Sequence, residues 1–599
     1  MIRVSRLALI AVTVAICSPA NAQTVPQLQQ NVQLSQLAPL PALPPPQQFL
    51  RELLPEQRPR LSPGLRGAPI TPQQAAPGLG GVNVVEASVT GNEALPGSLF
   101  ARHVDGLVRQ AASAEQIEAA RTAILTEYRN AGYPFLSVVV SAQPVAGGSR
   151  LVFTVQEGRI ARVRLDGDIG PAGTQVLRFL NGAVAEGPAT ASRIERALLL
   201  AGDVPGITVR GVLRPLEGGG PGELELVAEV SRQAFSGFIT GDNRGFRRAG
   251  PVQFLLVGQA NSFTSFGERT EATFYTSANA EAVFGQASTE FFIGGSGFRV
   301  RLYAGAGYTQ PSGALAAIGY NAFTRIFGGA MTYPIIRSRS ANLFAALQFD
   351  LYDNAVETGT TQVVRTSKDF VRVLRGGFDG QYLDSLLPLA GPATNAGSIR
   401  LHQGISTFGA SQNGRTPPPS RLGSDFGFTK LTGEYQRTQP IFGYRNMLFS
   451  LQGTIAGQWS NDVLPVSEKF FLGGARLGRG FYAGQVSGDS AYGFTAEAQL
   501  DFLSLPSFTM SPGNGRAMEL RPNVQLYMFY DTGRTYENLP SDPNRRIESW
   551  GGGIRTNINN AVFLDIEGVS RVTRSVDAAG SAVRPLPATA GYMRLMTRF

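Results

Sequence analysis

Residues 449–459 read F-S-L-Q-G-T-I-A-G-Q-W. Phe449, Leu451, Gly453, Ile455, Gly457 and Trp459 fall on one parity, and Ser450, Gln452, Thr454 and Gln458 on the other. Successive side chains of a strand point to opposite sides of its sheet, so a period of two with one apolar and one polar, Gly-rich face describes a strand between an apolar medium and water. The pattern recurs. Val300, Leu302, Ala304, Ala306 and Tyr308 alternate with Arg301, Tyr303, Gly305 and Gly307; Leu343, Ala345, Leu347, Phe349 and Leu351 form another apolar row, and Val562, Leu564 and Ile566 alternate with Phe563, Asp565 and Glu567. A soluble sandwich or solenoid shows the same period. The membrane reading is favoured because most of the 36 Phe and both Trp, Trp459 and Trp550, fall in this zone, as interfacial girdles require. In lipid only helices and closed sheets satisfy every backbone group, and no run of 18 apolar residues exists to make a helix. Residues 233–599 are therefore expected to form an all-β transmembrane barrel of roughly 14 to 18, about 16, antiparallel strands.

Composition agrees. The chain has 599 residues, 53 of them basic and 44 acidic, with one Cys and two His. Cys17 alone makes no disulfide framework or Cys-based zinc site, and His103 and His402 leave little for metal chemistry, so no metal or cofactor is expected. Charged residues are 16%, against the ~25% of soluble domains. Basic residues are spread singly, which argues against a nucleic-acid partner. There is no Walker-type loop, no HExxH and no GxSxG on a strand-to-helix turn, so neither a nucleotide nor an enzyme activity with catalytic residues is expected.

Residues 1–22 open with Arg3 and Arg6, run apolar from Leu7 to Ile16 and end in the small-x-small site Ala20, Asn21, Ala22, the pattern of a secretory signal peptide cut after Ala22. Its removal would lower the formal charge from +9 to about +7. Residues 23–80 form a Pro-rich linker with prolines at 41, 44, 45 and 46, interrupted by Phe49, Leu50, Leu53 and Leu54, enough for two helical turns, either transient or docked.

Residues 81–157 change to the order strand, helix, helix, strand, strand. Val84–Val89 is a strand; Ser113 and Gln116 have capping-box spacing before a helix that Gly132 ends; Leu136–Val140 and Leu151–Val155 are strands joined at Gly147 and Gly148. Residues 158–232 repeat the order after about 75 residues, with strands at Ile160–Leu165, Ile207–Leu213 and Leu224–Val230, which makes two tandem α+β modules. In a βααββ module the strand in the middle of the sequence lies at the sheet edge, here the one with Leu136, Val138 and Val140 and the one with Ile207 and Val209, and its unpaired backbone can template an incoming extended chain.

Four local motifs complete the pattern. Asp242, Asn243, Arg244 and Gly245, then Gly250, resemble the DNxG signature of a first barrel strand. Leu477, Gly478, Arg479, Gly480 and Phe481 resemble the VRGY/F motif of a loop folded back into a barrel, with Gly488, Asp489 and Glu497 as the acidic marks after it. Phe529, Asp531 and Gly533 resemble F-x-D-x-G of a later strand, and the final strand with Tyr592, Leu595 and Phe599 looks like an outer-membrane assembly signal. Together these resemble the two-partner secretion outer-membrane transporters, the TpsB-type haemolysin secretion/activation family, which share a superfamily with the barrel-assembly factors. The sequence departs from the family at Gly478, usually Val, which would allow a more mobile tip.

The resemblance implies two periplasmic POTRA domains, at 81–157 and 158–232, and a bacterial outer-membrane pore that passes a secreted haemolysin- or adhesin-like exoprotein to the cell surface. It implies an Arg479–Asp531 ion pair in the lumen, and it puts residues 46–62 where the family has a plug helix. Partners would be the exoprotein, outer-membrane lipid and, during biogenesis, the barrel assembly machinery. An assembly factor of the same superfamily and a passive diffusion channel are the alternatives.

Overall fold

The computed structural model describes residues 53, 81–109, 111–387, 389–503, 505–510, 518–576 and 585–599. The signal segment with Ala20 and Ala22, and the Pro-rich stretch apart from Leu53, lie outside the described residues.

The first module runs β1 (Val82–Thr90), α1 (Ser98–Val104), β2 (Ala111–Ala112), α2 (Ala114–Asn130), β3 (Leu136–Val145) and β4 (Gly148–Glu157). The reciprocal bonds between Ser113 and Gln116 start α2, and Gly132, at φ +90°, follows its end. The sheet order is β2-β1-β4-β3, with β1 parallel to β4 and β3 antiparallel to it. Phe100, Ile117, Ile124, Tyr128 and Phe153 fill the core between helices and sheet. Burial and the neighbouring Glu157 carboxylate push the Tyr128 phenol up, so it stays neutral and donates a 2.5 Å hydrogen bond to that carboxylate. Strand β2 has no counterpart in the sequence reading, because two residues carry no period; it exists by pairing with Val82 and Asn83.

The second module runs β5 (Arg159–Asp166), α3 (Gly173–Leu180), α4 (Ala191–Gly202), β6 (Ile207–Pro215) and β7 (Glu223–Arg232), with sheet order β5-β7-β6. It is bolted to the barrel. Arg337 donates to both Asp203 oxygens at 2.9 and 2.7 Å, Gln175 donates to the Gly294 carbonyl at 2.8 Å, and Phe292 of the barrel stands edge-on to Phe179 in the module core.

The barrel is a closed antiparallel sheet of 16 strands. In chain order it begins β8 (Phe235–Asp242), β9 (Gln253–Asn261), β10 (Arg269–Ser277), β11 (Ala282–Ile293), β12 (Phe298–Thr309), β13 (Asn321–Arg337), β14 (Ala341–Thr358), β15 (Val364–Asp384), β16 (Ala393–Gly404), β17 (Thr429–Tyr444) and β18 (Met447–Ser460). A short hairpin, β19 (Phe470–Leu472) and β20 (Val486–Gly488), lies in the connection to β21 (Ser490–Phe502), and a second one, β22 (Phe508–Met510) and β23 (Met518–Leu520), precedes β24 (Pro522–Tyr536). β25 (Arg545–Ile558), β26 (Val562–Arg571) and β27 (Thr589–Arg598) follow, and β27 pairs with β8 to close the wall.

Parity sorts the side chains as the alternation requires. Leu451, Ile455 and Trp459 are exposed on the outside, while Ser450, Gln458 and Ser460 are buried inside. Leu595 and Phe599 face outward, but Tyr592 faces the lumen, 5% exposed, because an interval of seven residues inverts the face; Met593 joins Leu595 outside. No helix among the described residues is long and apolar enough to cross a membrane.

Strands β3 and β6 each lie at one edge of their module sheet, paired on one side only, with β4 and β7, and β2 and β5 lie at the opposite edges. Their side chains divide between core and solvent. Val138 and Ile207 are buried, Leu136, Val140 and Val209 pack partly against the module cores, and Val139 is the apolar side chain that β3 turns outward.

Candidate functional site: a lumen loop held at its tip and its base

The connection from β18 to β21, residues 461–489, folds inward, and its tip carries Leu477–Phe481. Small residues on the wall make room for it. A Cβ on Gly533 of β24 would come within 2.7 Å of Leu472 Cδ1, and one on Gly493 of β21 within 3.0 Å of Leu472 Cδ2. Gly478 is not slack. It sits at φ +82°, and a Cβ there would meet Ile547 Cδ1 at 2.4 Å, so this glycine supplies a left-handed turn in a packed place rather than mobility.

The turn aims Arg479 at the wall. Its backbone N–H donates to Asp531 Oδ2 at 2.6 Å, its Nε to the same oxygen at 3.2 Å, and its Nη2 to Oδ1 at 3.1 Å. Its Nη1 donates to Glu497 of β21, and the guanidinium lies 3.6 Å from the centroid of the Phe529 ring. A forked carboxylate pair with an aromatic floor uses the planarity that only Arg offers. Gly480 donates to Ser549 Oγ of β25 at 3.2 Å, and its carbonyl accepts from Arg571 of β26 and from Tyr592 of β27. Phe481 is fully buried with Leu472, Val486 and Ile547.

Around the tip, charges alternate across the wall. Arg555 of β25 donates to both Glu497 oxygens at 2.6 and 3.0 Å; the single Tyr527 hydroxyl of β24 lies between Asp565 at 2.7 Å and Glu567 at 2.9 Å; Arg244 donates to Glu567 and lies 4.1 Å from the Tyr592 ring centroid. The loop also touches the first-strand motif directly, where Ala483 N–H donates to the Arg244 carbonyl at 2.9 Å. Asp242 accepts from Arg244 N–H at 3.0 Å and from Gln253 at 2.8 Å, which shapes the turn after β8. Asn243 holds the closing seam. Its Nδ2 donates to the Gly591 carbonyl at 3.1 Å and its Oδ1 accepts from Met593 N–H at 2.9 Å, which prolongs the β8–β27 ladder past its last backbone pair, Asp242 with Arg594. Gly245 is packed against Gln253 and the Pro251 carbonyl.

Sequence reading missed a second anchor at the loop base. The Glu468 carboxylate accepts from Arg375 of β15 at 2.6 Å and from Lys430 of β17 at 2.8 Å, Lys430 also donates to the Glu468 carbonyl at 2.6 Å, and Lys469 donates to Glu537 at 2.6 Å. Nearby, Arg421 of the β16–β17 loop donates to both Asp489 oxygens at 2.6 and 2.9 Å and to Glu537 at 3.0 Å. His103 pairs with Glu127 on the first module, and His402 lies on β16 beside Arg375 and Thr432.

Comparisons with known proteins bear on the motif-rich half of the barrel and on the fold. Residues 383–556 match the family model for the haemolysin secretion/activation protein ShlB/FhaC/HecB. The solved structure of CdiB from Escherichia coli is 18% identical, with a TM-score of 0.65 over 89% of this chain and 94% of that one. CdiB from Acinetobacter baumannii is 15% identical, with a TM-score of 0.58 over 92% and 96%. No curated protein matches the sequence. The matched segment takes in the Leu477–Phe481 loop and the Phe529, Asp531, Gly533 motif, so the family model and the motifs point to the same resemblance, and the closed wall with its apolar outside is that of an outer-membrane β-barrel.

Proposed function

We propose that this chain is the pore of a two-partner secretion system. Two POTRA modules, 81–157 and 158–232, stand in the periplasm; the free edges of β3 and β6 pair with an extended exoprotein; the exoprotein enters the lumen of the 233–599 barrel when the loop withdraws, and it leaves at the cell surface. The observation that carries this reading is the doubly anchored loop. Passive diffusion needs no such obstruction, whereas a gated conduit for a polypeptide needs an obstruction held by contacts that can be exchanged. With no nucleotide implied, folding of the exoprotein outside supplies the outward bias.

The test compares culture supernatant and outer-membrane proteome in cells with the gene, without it, and with Arg479→Ala. Loss of one or two large supernatant proteins with the membrane unchanged is the expected result. General depletion of outer-membrane barrels would instead make the chain an assembly factor and overturn the export reading.

A further inference from the structure

Among the polar side chains that line the lumen, such as Thr240, Asp242 and Gln253, there is an apolar patch beside the closing seam. Phe238 of β8, Leu255 and Val257 of β9, Tyr275 of β10 and Met596 of β27 are buried in one apolar cluster. Their chain neighbours Ile239, Leu256 and Phe274 are exposed on the outside, so the cluster lies on the inner face. Leu53, helical and with no exposed surface, is seated in it, and the Leu53 carbonyl accepts a 2.6 Å hydrogen bond from Arg594 Nη2 of β27. The seat thus holds one aliphatic side chain and one backbone carbonyl together. Neither requirement is particular to Leu53, since every residue has the carbonyl and Leu, Ile, Val and Met all offer the side chain. Apolar surface facing a water-filled channel attracts whatever apolar group can cover it.

On the export reading above, we propose that this seat is a subsite for the translocating polypeptide. When Leu53 withdraws, an aliphatic side chain of an extended passenger segment takes its place, with that residue's own carbonyl on Arg594. Leu53 and the passenger are then competitors for one position. The seat prefers segments that present an aliphatic residue and gives an extended, unfolded chain its foothold on the wall.

Three variants in the native outer membrane test this, each checked for an assembled barrel by heat-modifiable gel mobility. Val257→Thr keeps shape and strand propensity but puts a hydroxyl in the seat; Leu255→Ala shrinks it; Leu53→Asp removes the resident and leaves the wall untouched. Val257→Thr and Leu255→Ala are expected to lower secretion several-fold. Leu53→Asp is expected to raise pore current and to increase disulfide trapping between Val257→Cys and single cysteines placed beside aliphatic residues of the protein that gene deletion removes from the supernatant. Wild-type secretion by both wall variants, or trapping indifferent to Leu53→Asp, overturns the subsite while leaving export intact. A deletion that leaves the supernatant unchanged overturns the export reading, and the subsite with it.

Discussion

The two ends of the lumen loop are held in opposite ways. At the tip, one guanidinium is shared by two carboxylates on neighbouring strands, Asp531 on β24 and Glu497 on β21, and is backed by the Phe529 ring. At the base, one carboxylate, Glu468, is shared by two cations on non-neighbouring strands, Arg375 on β15 and Lys430 on β17. At the tip the loop cation Arg479 meets two wall carboxylates; at the base the loop anion Glu468 meets two wall cations, while its neighbour Lys469 pairs with Glu537. The difference also bears on release. The tip's bidentate fork is lost all at once, whereas at the base Arg375 keeps Asp350 when the loop leaves and Lys430 gives up separate contacts with the Glu468 carboxylate and carbonyl.

The sharpest way to break the comparison is Arg479→Ala. It leaves Asp531 and Glu497 buried, and removing one partner of a buried pair costs about 3–5 kcal/mol. The expected outcome is release of the tip, seen as new protease cleavage within residues 473–485 in outer-membrane vesicles, together with loss of secretion. Arg479→Lys keeps the charge and loses the fork, and it is expected to fall between wild type and Ala in both readouts; equality with wild type would mean that charge alone holds the tip.

Glu468→Gln tests the base. Its two cations retain other acceptors, so the cost is expected to be smaller, about 1.5–3 kcal/mol, the range for hydrogen bonds to charged groups. Cleavage should appear in residues 461–470 with the tip still protected. Combined with Arg479→Lys, the losses should add if the anchors are independent. A coupling above about 0.5 kcal/mol would make the loop a single cooperative unit and dissolve the comparison.

The two anchors also differ in how visibly the sequence announces them. The tip was legible because its chemistry demands arginine at Arg479 and Asp531 sits at motif spacing between Phe529 and Gly533; the packed left-handed turn at Gly478 was not, since there the sequence departs from the motif's Val. The barrel was legible for a simpler reason, since a period of two repeated over hundreds of residues survives any uncertainty about where each strand begins. The base was not legible. Arg375, Lys430 and Glu468 are ordinary members of polar faces that carry many charges, and which of them meet depends on strand stagger and on two strands that are not neighbours. The run Ser467, Glu468, Lys469 ahead of the apolar Phe470–Leu472 was the available hint, a pair of charges entering a lumen. The role of Asn243 was hidden in another way: its motif was read, but a side chain that completes a ladder between the first and last strands has no local signature.

Gly533→Ala asks the smallest question about the tip. Gly533 lies in a strand and its φ is not in the left-handed region, so its glycine character is not required by the backbone. What an added methyl meets is the loop, Leu472 Cδ1 at 2.7 Å, and then the Tyr492 carbonyl at 3.0 Å. Leu472 is itself fully buried with Phe481 and Ile547, so it cannot swing aside freely, and overpacking of this kind costs about 1–3 kcal/mol. A lower temperature of heat-modifiable conversion is expected, and Leu472→Val in the same chain should recover part of it by removing the methyl that clashes. If instead the double variant is worse by the sum of both changes, the glycine answers to the neighbouring strand and not to the loop. The tip would then be held by Arg479 and Gly480 alone, with the wall's small residues serving the barrel's own strand packing.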